Sequence, residues 1–175
     1  VGTLRPVFEL ADDGTYRSFA VEQTAPEEHS TLRPHRLGIG RYTREGDALV
    51  RSHYLEVDID GPSTEIAELV GQAQPDLLLL NDDDLAYAKI RLDERSLHTA
   101  LDLPRGFTDS LPRSLVLGAA WDMTRDAEMA ARDFVRLVLD SIPGEQDSTL
   151  LRVLIAQLAT ATHLYTAPEH RHETE

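Results

Sequence analysis

Two stretches of the chain carry side chains that could hold a metal ion. One is the acidic run Asn81-Asp82-Asp83-Asp84, and the other is His170-Arg171-His172-Glu173. A calcium site needs about six to eight oxygen ligands, which adjacent residues supply only across a sharp turn. We therefore predict that the acidic run is a solvated turn whose Asn81 or Asp82 side chain bonds its own backbone, with a bound ion as the open alternative. The second stretch is predicted to be a polar, mobile tail.

The motifs of common hydrolases and nucleotide-binding proteins are missing. There is no His-Glu-x-x-His, no Gly-x-Ser-x-Gly and no cysteine, which excludes the usual zinc, serine and thiolate sites. Gly38-Ile39-Gly40 lacks the third glycine of a dinucleotide fingerprint, because Thr43 stands in its place, and it fits a strand with a bulge or a close neighbouring backbone. The residues thus predict no catalytic, cofactor-binding or metal-binding residue.

Two further polar clusters have structural interpretations. Arg33-Pro34-His35-Arg36 could bind a carboxylate or the acidic surface of a neighbouring domain. Pairing with Glu27, Glu28 or another surface acid is favoured, because exposed ion pairs are common. The string Trp121-Asp122-Met123 is expected to pack in the core through its indole, and Asp122 and Arg125-Asp126 to pair or to cap the next helix.

Composition places the chain among ordinary soluble proteins. Of its 175 residues, 41% are hydrophobic and 27% are charged, and the net charge is -14. That charge repels phosphate backbones and anionic lipids, so we expect neither a nucleic acid nor a membrane as a partner. No apolar run approaches the length that spans a bilayer. The lack of cysteine favours an intracellular protein, which we expect to be cytoplasmic.

The first half of the chain has the pattern of short strands separated by turns. Asp12-Asp13-Gly14 and Arg44-Glu45-Gly46-Asp47 mark two hairpins, and Leu77-Leu78-Leu79-Leu80 is typical of a strand buried on both faces. Further strands are expected at residues 7–10, 16–23, 37–42, 48–59 and 64–70, and after the acidic run. The longest loop is predicted at residues 24–34. The pattern favours an antiparallel β-sandwich.

After Asp93 the apolar residues recur at helical spacing. This period predicts helices beginning near Asp93 and ending near residue 101, and over residues 111–123, 126–140 and 147–165. The last of them carries an apolar stripe: Leu150, Leu151, Leu154, Leu158 and Ala161. Such a stripe must be covered, and we expect self-association through it rather than packing on the sandwich.

Four strings spread over nearly the whole chain are similar to one known family. They are FAVEQ (19–23), LRPHRLGIG (32–40), NDDDLAYAK (81–89) and AWDMTRD (120–126). Through them the chain resembles actinobacterial zinc aminopeptidases of the aminopeptidase N type, over the part where a β-sandwich leads into a C-terminal helical domain. More distant members carry an Asn followed by a Gly-Tyr-Tyr-Arg string in the last sandwich strand, where only Asn81 and Tyr87 match here.

The resemblance implies an α+β chain in two domains. Residues 1–92 would be an antiparallel β-sandwich, and residues 93–175 the truncated start of a helical-repeat domain. The function implied is that of a noncatalytic portion of a zinc-dependent aminopeptidase, which removes N-terminal amino acids from peptides. The family's zinc motif and its Gly-x-Met-x-Asn string are absent from this chain, so we expect it to be inactive alone, with no cofactor of its own and zinc only in the parent enzyme.

The implied partners are the parent's catalytic domain, which the chain would support, and its peptide substrate, whose cavity the chain would help to enclose. The alternative from a different class is an independent β-sandwich module that binds carbohydrate or protein. Aromatic residues make up only 6% of the chain and are scattered, which argues against a sugar-binding face. A helical adaptor is disfavoured because about half of the chain has the pattern of strands.

Overall fold

The computed structural model describes residues 1–174, which form two β-sheets and a set of helices. The strands are β1 (Thr3–Leu10), β2 (Tyr16–Thr24), β3 (His35–Glu45), β4 (Ala48–Ile59), β5 (Ser63–Glu65), β6 (Leu77–Asp82) and β7 (Lys89–Ile90). One sheet has the order β5-β2-β1-β7 and the other β4-β3-β6. The predicted α+β class is confirmed.

Both predicted hairpins are present. β1 and β2 are joined through a turn with Gly14 at a φ of 81°, and β3 and β4 through Gly46-Asp47, with Gly46 at a φ of 62°. Glycine enters this left-handed region without a steric penalty from a Cβ atom. The long loop before β3 is also present and contains a 3-10 turn, Glu27–His29.

Two strand predictions need correction. β5 ends at Glu65, and the residues expected to continue it form a 3-10 helix, Ala67–Leu69, that buries Leu69. Alternation over so few residues does not distinguish a strand from a turn with one buried side chain. β7 pairs with β1 in parallel, because the chain leaves β6 in one sheet and enters the far edge of the other. The sandwich is therefore mostly, not wholly, antiparallel.

Helices occupy the rest of the chain. They are α1 (Glu94–Asp102), α2 (Ser110–Arg125), α3 (Ala131–Ser141), α4 (Ser148–Thr160), its π-helical continuation Ala161–Tyr165, a 3-10 turn Pro168–His170 and α5 (Arg171–Thr174). α1 begins where the change of period predicts, and the Asp93 side chain caps it by accepting from the Ser96 N–H at 3.1 Å. None of the helices in the described residues is long and apolar enough to cross a membrane.

One helix prediction is wrong in detail. α3 does not begin at Asp126, because the chain first makes a turn with Ala127 at a φ of 60°. In that turn the Met123 carbonyl accepts from the N–H groups of Glu128 and Met129, which closes the C-terminus of α2. The polar tail contains a 3-10 turn and the short helix α5, and Arg171 at the start of α5 donates to the His163 carbonyl at 3.0 Å. Its mobility stays a prediction. Glu175 lies outside the described residues.

One hydrophobic core connects the sheets with the helices. All four leucines of β6 are buried, as predicted for a strand covered on both faces. α1 lies along this strand, and the Leu78 N–H donates to the Ser96 Oγ at 2.8 Å. Nearby, the Thr99 hydroxyl donates to the Asp76 carbonyl at 2.7 Å. Residues of α1 thus satisfy one N–H group of β6 and the carbonyl just before the strand.

A partly buried ion network ties the edge of the other sheet to the turn between α2 and α3. Arg91 is 4% exposed, and its guanidinium donates to Asp126 and, at 2.9 Å, to Glu128. Lys89 also bonds Asp126, at 3.0 Å, and Arg5 on β1 bonds Glu128 at 2.7 Å. We call these five residues the Arg91 network. The prediction that Asp126 pairs is confirmed, although its partners come from the sandwich.

The two carboxylates of this network are stabilised in their ionised form. Burial acts to raise the pKa of Asp126 and of Glu128, but the hydrogen bonds and positive charges around them outweigh it. Lys89 and Arg91 do this for Asp126, and Arg5 and Arg91 do it for Glu128. Both pKa values therefore lie below their ordinary range.

The apolar stripe of α4 is covered within the chain. Leu154 and Ala161 are buried, and Leu150 and Leu158 pack against the core. α3 supplies the cover, because α4 and its π-helical continuation pack on it. The expectation that this stripe has too few partners within the chain is therefore wrong. Self-association of the chain stays a prediction.

Candidate functional site

The acidic run is not one solvated turn. β6 extends through Asn81 and Asp82, which are both buried, and only Asp83 and Asp84 are exposed. The Asn81 amide donates to the Ala86 carbonyl at 2.7 Å, and its Oδ1 accepts from the Ala86 N–H at 2.8 Å. The Asn81 side chain thus bonds the backbone, as predicted, but at Ala86, five residues on, rather than within the acidic run. The prediction that the whole run is solvated is wrong, because the closed loop holds its first two residues inside the fold.

Asp82 is a buried carboxylate with only one oxygen in use. It is 1% exposed, and its Oδ2 accepts from the Tyr42 hydroxyl at 2.9 Å and from Arg51 Nη1 at 3.4 Å. Arg51 on β4 also donates to Asp83 at 3.1 Å and lies 4.7 Å from the centre of the Tyr54 ring. Asp82 Oδ1 is buried and has no hydrogen-bond partner in the structure.

Two glycines make room for this arrangement. A Cβ atom on Gly40 would lie 1.9 Å from Asp82 Oδ2, and one on Gly38 would lie 2.4 Å from the Tyr54 ring. Such separations do not occur between real atoms, so both positions require glycine while Asp82 and Tyr54 stay in place. β3 pairs with irregular register on both sides. The interpretation of Gly38-Ile39-Gly40 as a bulged strand with a close neighbour is confirmed.

The Asp82 carboxylate lines a cleft of about 340 Å³ between the β4-β3-β6 sheet and the start of α2. Phe107 closes one wall and packs edge-on against Tyr42, with the ring centres 5.0 Å apart. Arg51 lies in the cleft with two further carboxylates, Asp83 and Asp109. We call this space the Asp82 cleft.

Burial determines the electrostatics of the Asp82 cleft. It raises the pKa of Asp82 above its ordinary value, and the Asp83 charge adds to this, while Tyr42 and Arg51 act in the opposite direction. Burial also raises the pKa of Tyr42, helped by the neighbouring Asp82 charge, so the phenol stays protonated and remains a donor. The Oδ1 atom has lone pairs that can accept a hydrogen bond from an N–H donor.

The remaining candidates have structural roles. Arg36 pairs with Glu56 at 3.0 Å and Asp58 at 3.0 Å on β4, which confirms pairing with surface acids. Trp121 packs against Phe134 with ring centres 5.2 Å apart, as expected of a core residue. His170 lies 3.4 Å from Glu173 within the tail. No group of three His, Cys, Asp or Glu residues within 1–174 is placed to hold a metal ion.

Sequence reasoning missed the partners of Asp82. Tyr42, Arg51 and Asp82 lie on three different strands, and no short motif joins them. The only local signal was the pair Gly38 and Gly40, which indicated a close approach without naming the group that approaches.

Comparison with known proteins assigns the family. Residues 77–174, which include β6 and every α-helix described above, match the ERAP1-like C-terminal domain. The chain belongs to this family. The predicted resemblance to the aminopeptidase N type is confirmed. The chain aligns over 178 positions, which cover 98% of it, with a protein named Aminopeptidase N from Streptomyces lividans, and the aligned residues are 47% identical.

Members of the family can be much longer than this chain, which spans 21% of the length of the Streptomyces lividans protein. Among solved structures, aminopeptidase A from Legionella pneumophila in complex with aspartic acid aligns with 99% of this chain and 21% of its own, with a TM-score of 0.48 and 14% identity.

Proposed function

We propose that this chain is a noncatalytic portion of an aminopeptidase, where it supports the catalytic domain and helps to enclose the peptide substrate. The observation that carries the proposal is the 47% identity to Aminopeptidase N over 98% of the chain. The family match over residues 77–174 supports it independently. The chain accounts for a fifth of such an enzyme, and the rest would supply the chemistry.

Zinc belongs to the proposal for the whole enzyme and not for these residues. The sequence lacks His-Glu-x-x-His, and residues 1–174 offer no cluster of three metal-binding side chains. This part of the chain does not fit a zinc ion, so we propose no catalytic, cofactor-binding or metal-binding residue in it. We further propose a cytoplasmic enzyme without nucleic-acid or membrane partners, from the lack of cysteine and the net charge of -14.

We also propose the division into a sandwich, residues 1–92, and the start of a helical-repeat domain, residues 93–175. The last strand ends at Ile90 and α1 begins at Glu94. The shared core and the Arg91 network join the two parts. A scaffold that supports a catalytic domain needs such a connection between its parts.

Activity measurements test the proposal. The 175-residue chain with added zinc is compared with a longer protein that carries the upstream residues, and with the upstream part alone, on aminoacyl chromogenic substrates. We expect no turnover from the chain alone, turnover from the longer protein, and a lower kcat/KM or a lower melting temperature when this chain is removed. Turnover by the repurified chain alone would contradict the proposal, and so would full activity and stability of the upstream part.

A pair of variants in the longer protein tests the Asp82 cleft. Asp82→Asn removes the buried charge, and Asp58→Asn removes an exposed carboxylate on β4 as the control. If the cleft receives a donor group from the rest of the enzyme, the first change lowers the melting temperature of the longer protein, while the 175-residue chain, which lacks that group, is not destabilised. Equal effects in both proteins would exclude such a contact.

A further inference from the structure

A second buried charge lies on β3. Arg41 is 8% exposed, and its guanidinium forms no hydrogen bond or ion pair with any residue in 1–174. Its Nε is fully buried and has no partner. A buried cation normally has a carboxylate or several acceptors, because desolvation of the charge costs free energy. Arg41 is therefore an unexplained feature of the fold.

The surroundings of Arg41 contain a second orphaned polar atom. The Tyr16 hydroxyl is buried without a hydrogen-bond partner, and the positive charge of Arg41 is near enough to act on its pKa, which burial raises. Burial lowers the pKa of Arg41, and Tyr16 rather than a carboxylate acts in the opposite direction. Asp93 also acts on Tyr16, but both of its oxygens are used to cap α1 through Ser96.

Arg41 lines an open cleft of about 210 Å³ that is separate from the Asp82 cleft. Arg95 from α1 contributes a second guanidinium to its wall, and the polar side chains of Ser52 and His53 contribute from β4. One carboxylate, Asp76, also lines the cleft. It accepts from the Arg44 N–H at 2.8 Å and from Arg95 at 3.1 Å, so it is already paired.

The charge balance of this cleft is unusual for the chain. Two guanidinium groups face one carboxylate, and that carboxylate is bonded to Arg95, which leaves the charge of Arg41 uncompensated. The chain as a whole carries a net charge of -14, so an unpaired cation is not explained by a shortage of acids. No carboxylate of the described residues balances the charge of Arg41.

We propose that the cleft at Arg41 is a binding site for a single carboxylate, with the Arg41 guanidinium as its anchor and Arg95 as a second cation. Guanidinium groups bind carboxylates in planar, two-pronged geometry. A carboxylate fits better than phosphate or sulfate, because Asp76 lines the same cleft and repels a dianion more strongly. The carboxylate belongs either to a small free acid or to an acidic side chain of a polypeptide.

NMR of the 175-residue chain tests this site directly. The Nε–Hε resonance of Arg41 and the amides of His53 and Gln74 are followed during titration with acetate, and with sulfate at equal ionic strength. We expect saturable shifts with acetate, confined to this cleft, and weaker ones with sulfate. Linear shifts spread over the surface, or no shift of the Arg41 resonance, would overturn the proposal. The same holds if sulfate binds as tightly as acetate.

Variants confirm the assignment. Arg41→Gln should weaken acetate binding by about tenfold or more, the loss expected when a charged hydrogen-bond donor is removed. Arg44→Gln is the matched control, because it removes the same charge from an exposed position on the same strand. If Arg41→Gln fails to fold, Arg95→Gln replaces it and should also weaken binding. Unchanged affinity in a folded Arg41→Gln protein would overturn the proposal.

A second titration separates the two sources of the carboxylate. The probes are the blocked peptide acetyl-Gly-Glu-Gly-amide and its Gln counterpart, which differ only in the side-chain charge. Tighter binding of the Glu peptide than of acetate indicates a polypeptide side chain, and equal or weaker binding indicates a small free acid. Binding of the Gln peptide as tight as that of the Glu peptide would show that the carboxylate is not the recognised group, and would overturn the proposal.

Discussion

Arg91 and Arg41 are both buried arginines of the same sandwich, but they have opposite surroundings. Arg91 meets two carboxylates from the turn after α2, while Arg41 meets none within the described residues. Carboxylates of the same chain balance the charge of Arg91, whereas Arg41 lines an open cleft. A buried cation therefore indicates structure where its anions come from the same chain, and indicates a binding site where they do not.

The difference has an origin in the topology. β7 lies at the edge of its sheet, so the α2–α3 turn can reach Arg91 from the side with Asp126 and Glu128. β3 is the central strand of its sheet, flanked by β4 and β6. The residues before β6 and the start of α1 lie near Arg41. They contribute one carboxylate, Asp76, and Arg95 already binds it.

The largest effect is expected at Arg91. Arg91→Met should lower the free energy of unfolding by about 3 kcal/mol, because it leaves the partly buried Asp126 and Glu128 with too few cations. Arg36→Met is the control, since Arg36 is exposed and its pairs are worth about 0 to 1 kcal/mol. Urea unfolding of both variants measures the difference. Equal losses would show that the Arg91 network is no stronger than a surface pair.

The carboxylates of the network give a pH dependence. Their pKa values are lowered in the folded state, so their stabilisation is present above the unfolded pKa, about 4, and is lost as pH falls through the folded values. Glu128→Gln should therefore cost about 1 to 2 kcal/mol at neutral pH and almost nothing well below pH 4. Unfolding curves from pH 3 to 7 test this, with Glu56→Gln as the exposed control. A loss independent of pH would contradict it.

A smaller effect with the opposite sign is expected at Asp82. Burial raises its pKa, so the folded state holds that proton more tightly than the unfolded chain, and stability falls as pH rises through the unfolded and then the folded value. Asp82→Asn should raise the free energy of unfolding at pH 7 by less than about 1 kcal/mol. The gain should vanish below about pH 4, where both states of the wild type are protonated. A loss at pH 7 would mean that the ionised group is stabilising.

The smallest effect is expected at Arg41. Arg41→Met should change the free energy of unfolding by less than about 0.5 kcal/mol or raise it slightly, because it replaces an unpaired buried charge with an apolar chain of similar length. The measurement is the same urea unfolding in buffer free of carboxylates. A loss as large as that of Arg91→Met would show that Arg41 has an anion inside the fold, and the comparison between the two arginines would fail.

Sequence patterns that involve only neighbouring residues were enough to predict most elements of the fold. The two hairpin turns, the buried leucine strand and the start of α1 near Asp93 all follow from residues within a few positions of each other. The predictions failed where a distant contact decides the local structure. The helix predicted from Asp126 begins at Ala131, because the Arg91 network and the closing bonds of α2 hold residues 126–129 in a turn.

The sequence by itself determined the α+β class, the change from strands to helices near Asp93 and the family, because hydrophobic period and family-specific strings are local properties. Only the tertiary structure decided which charges are buried and which of them are paired. Asp82 was expected in water and lies inside, and Arg91 and Arg41 look alike in the sequence. Burial and pairing depend on strands and turns far apart along the chain, and only folding brings these together.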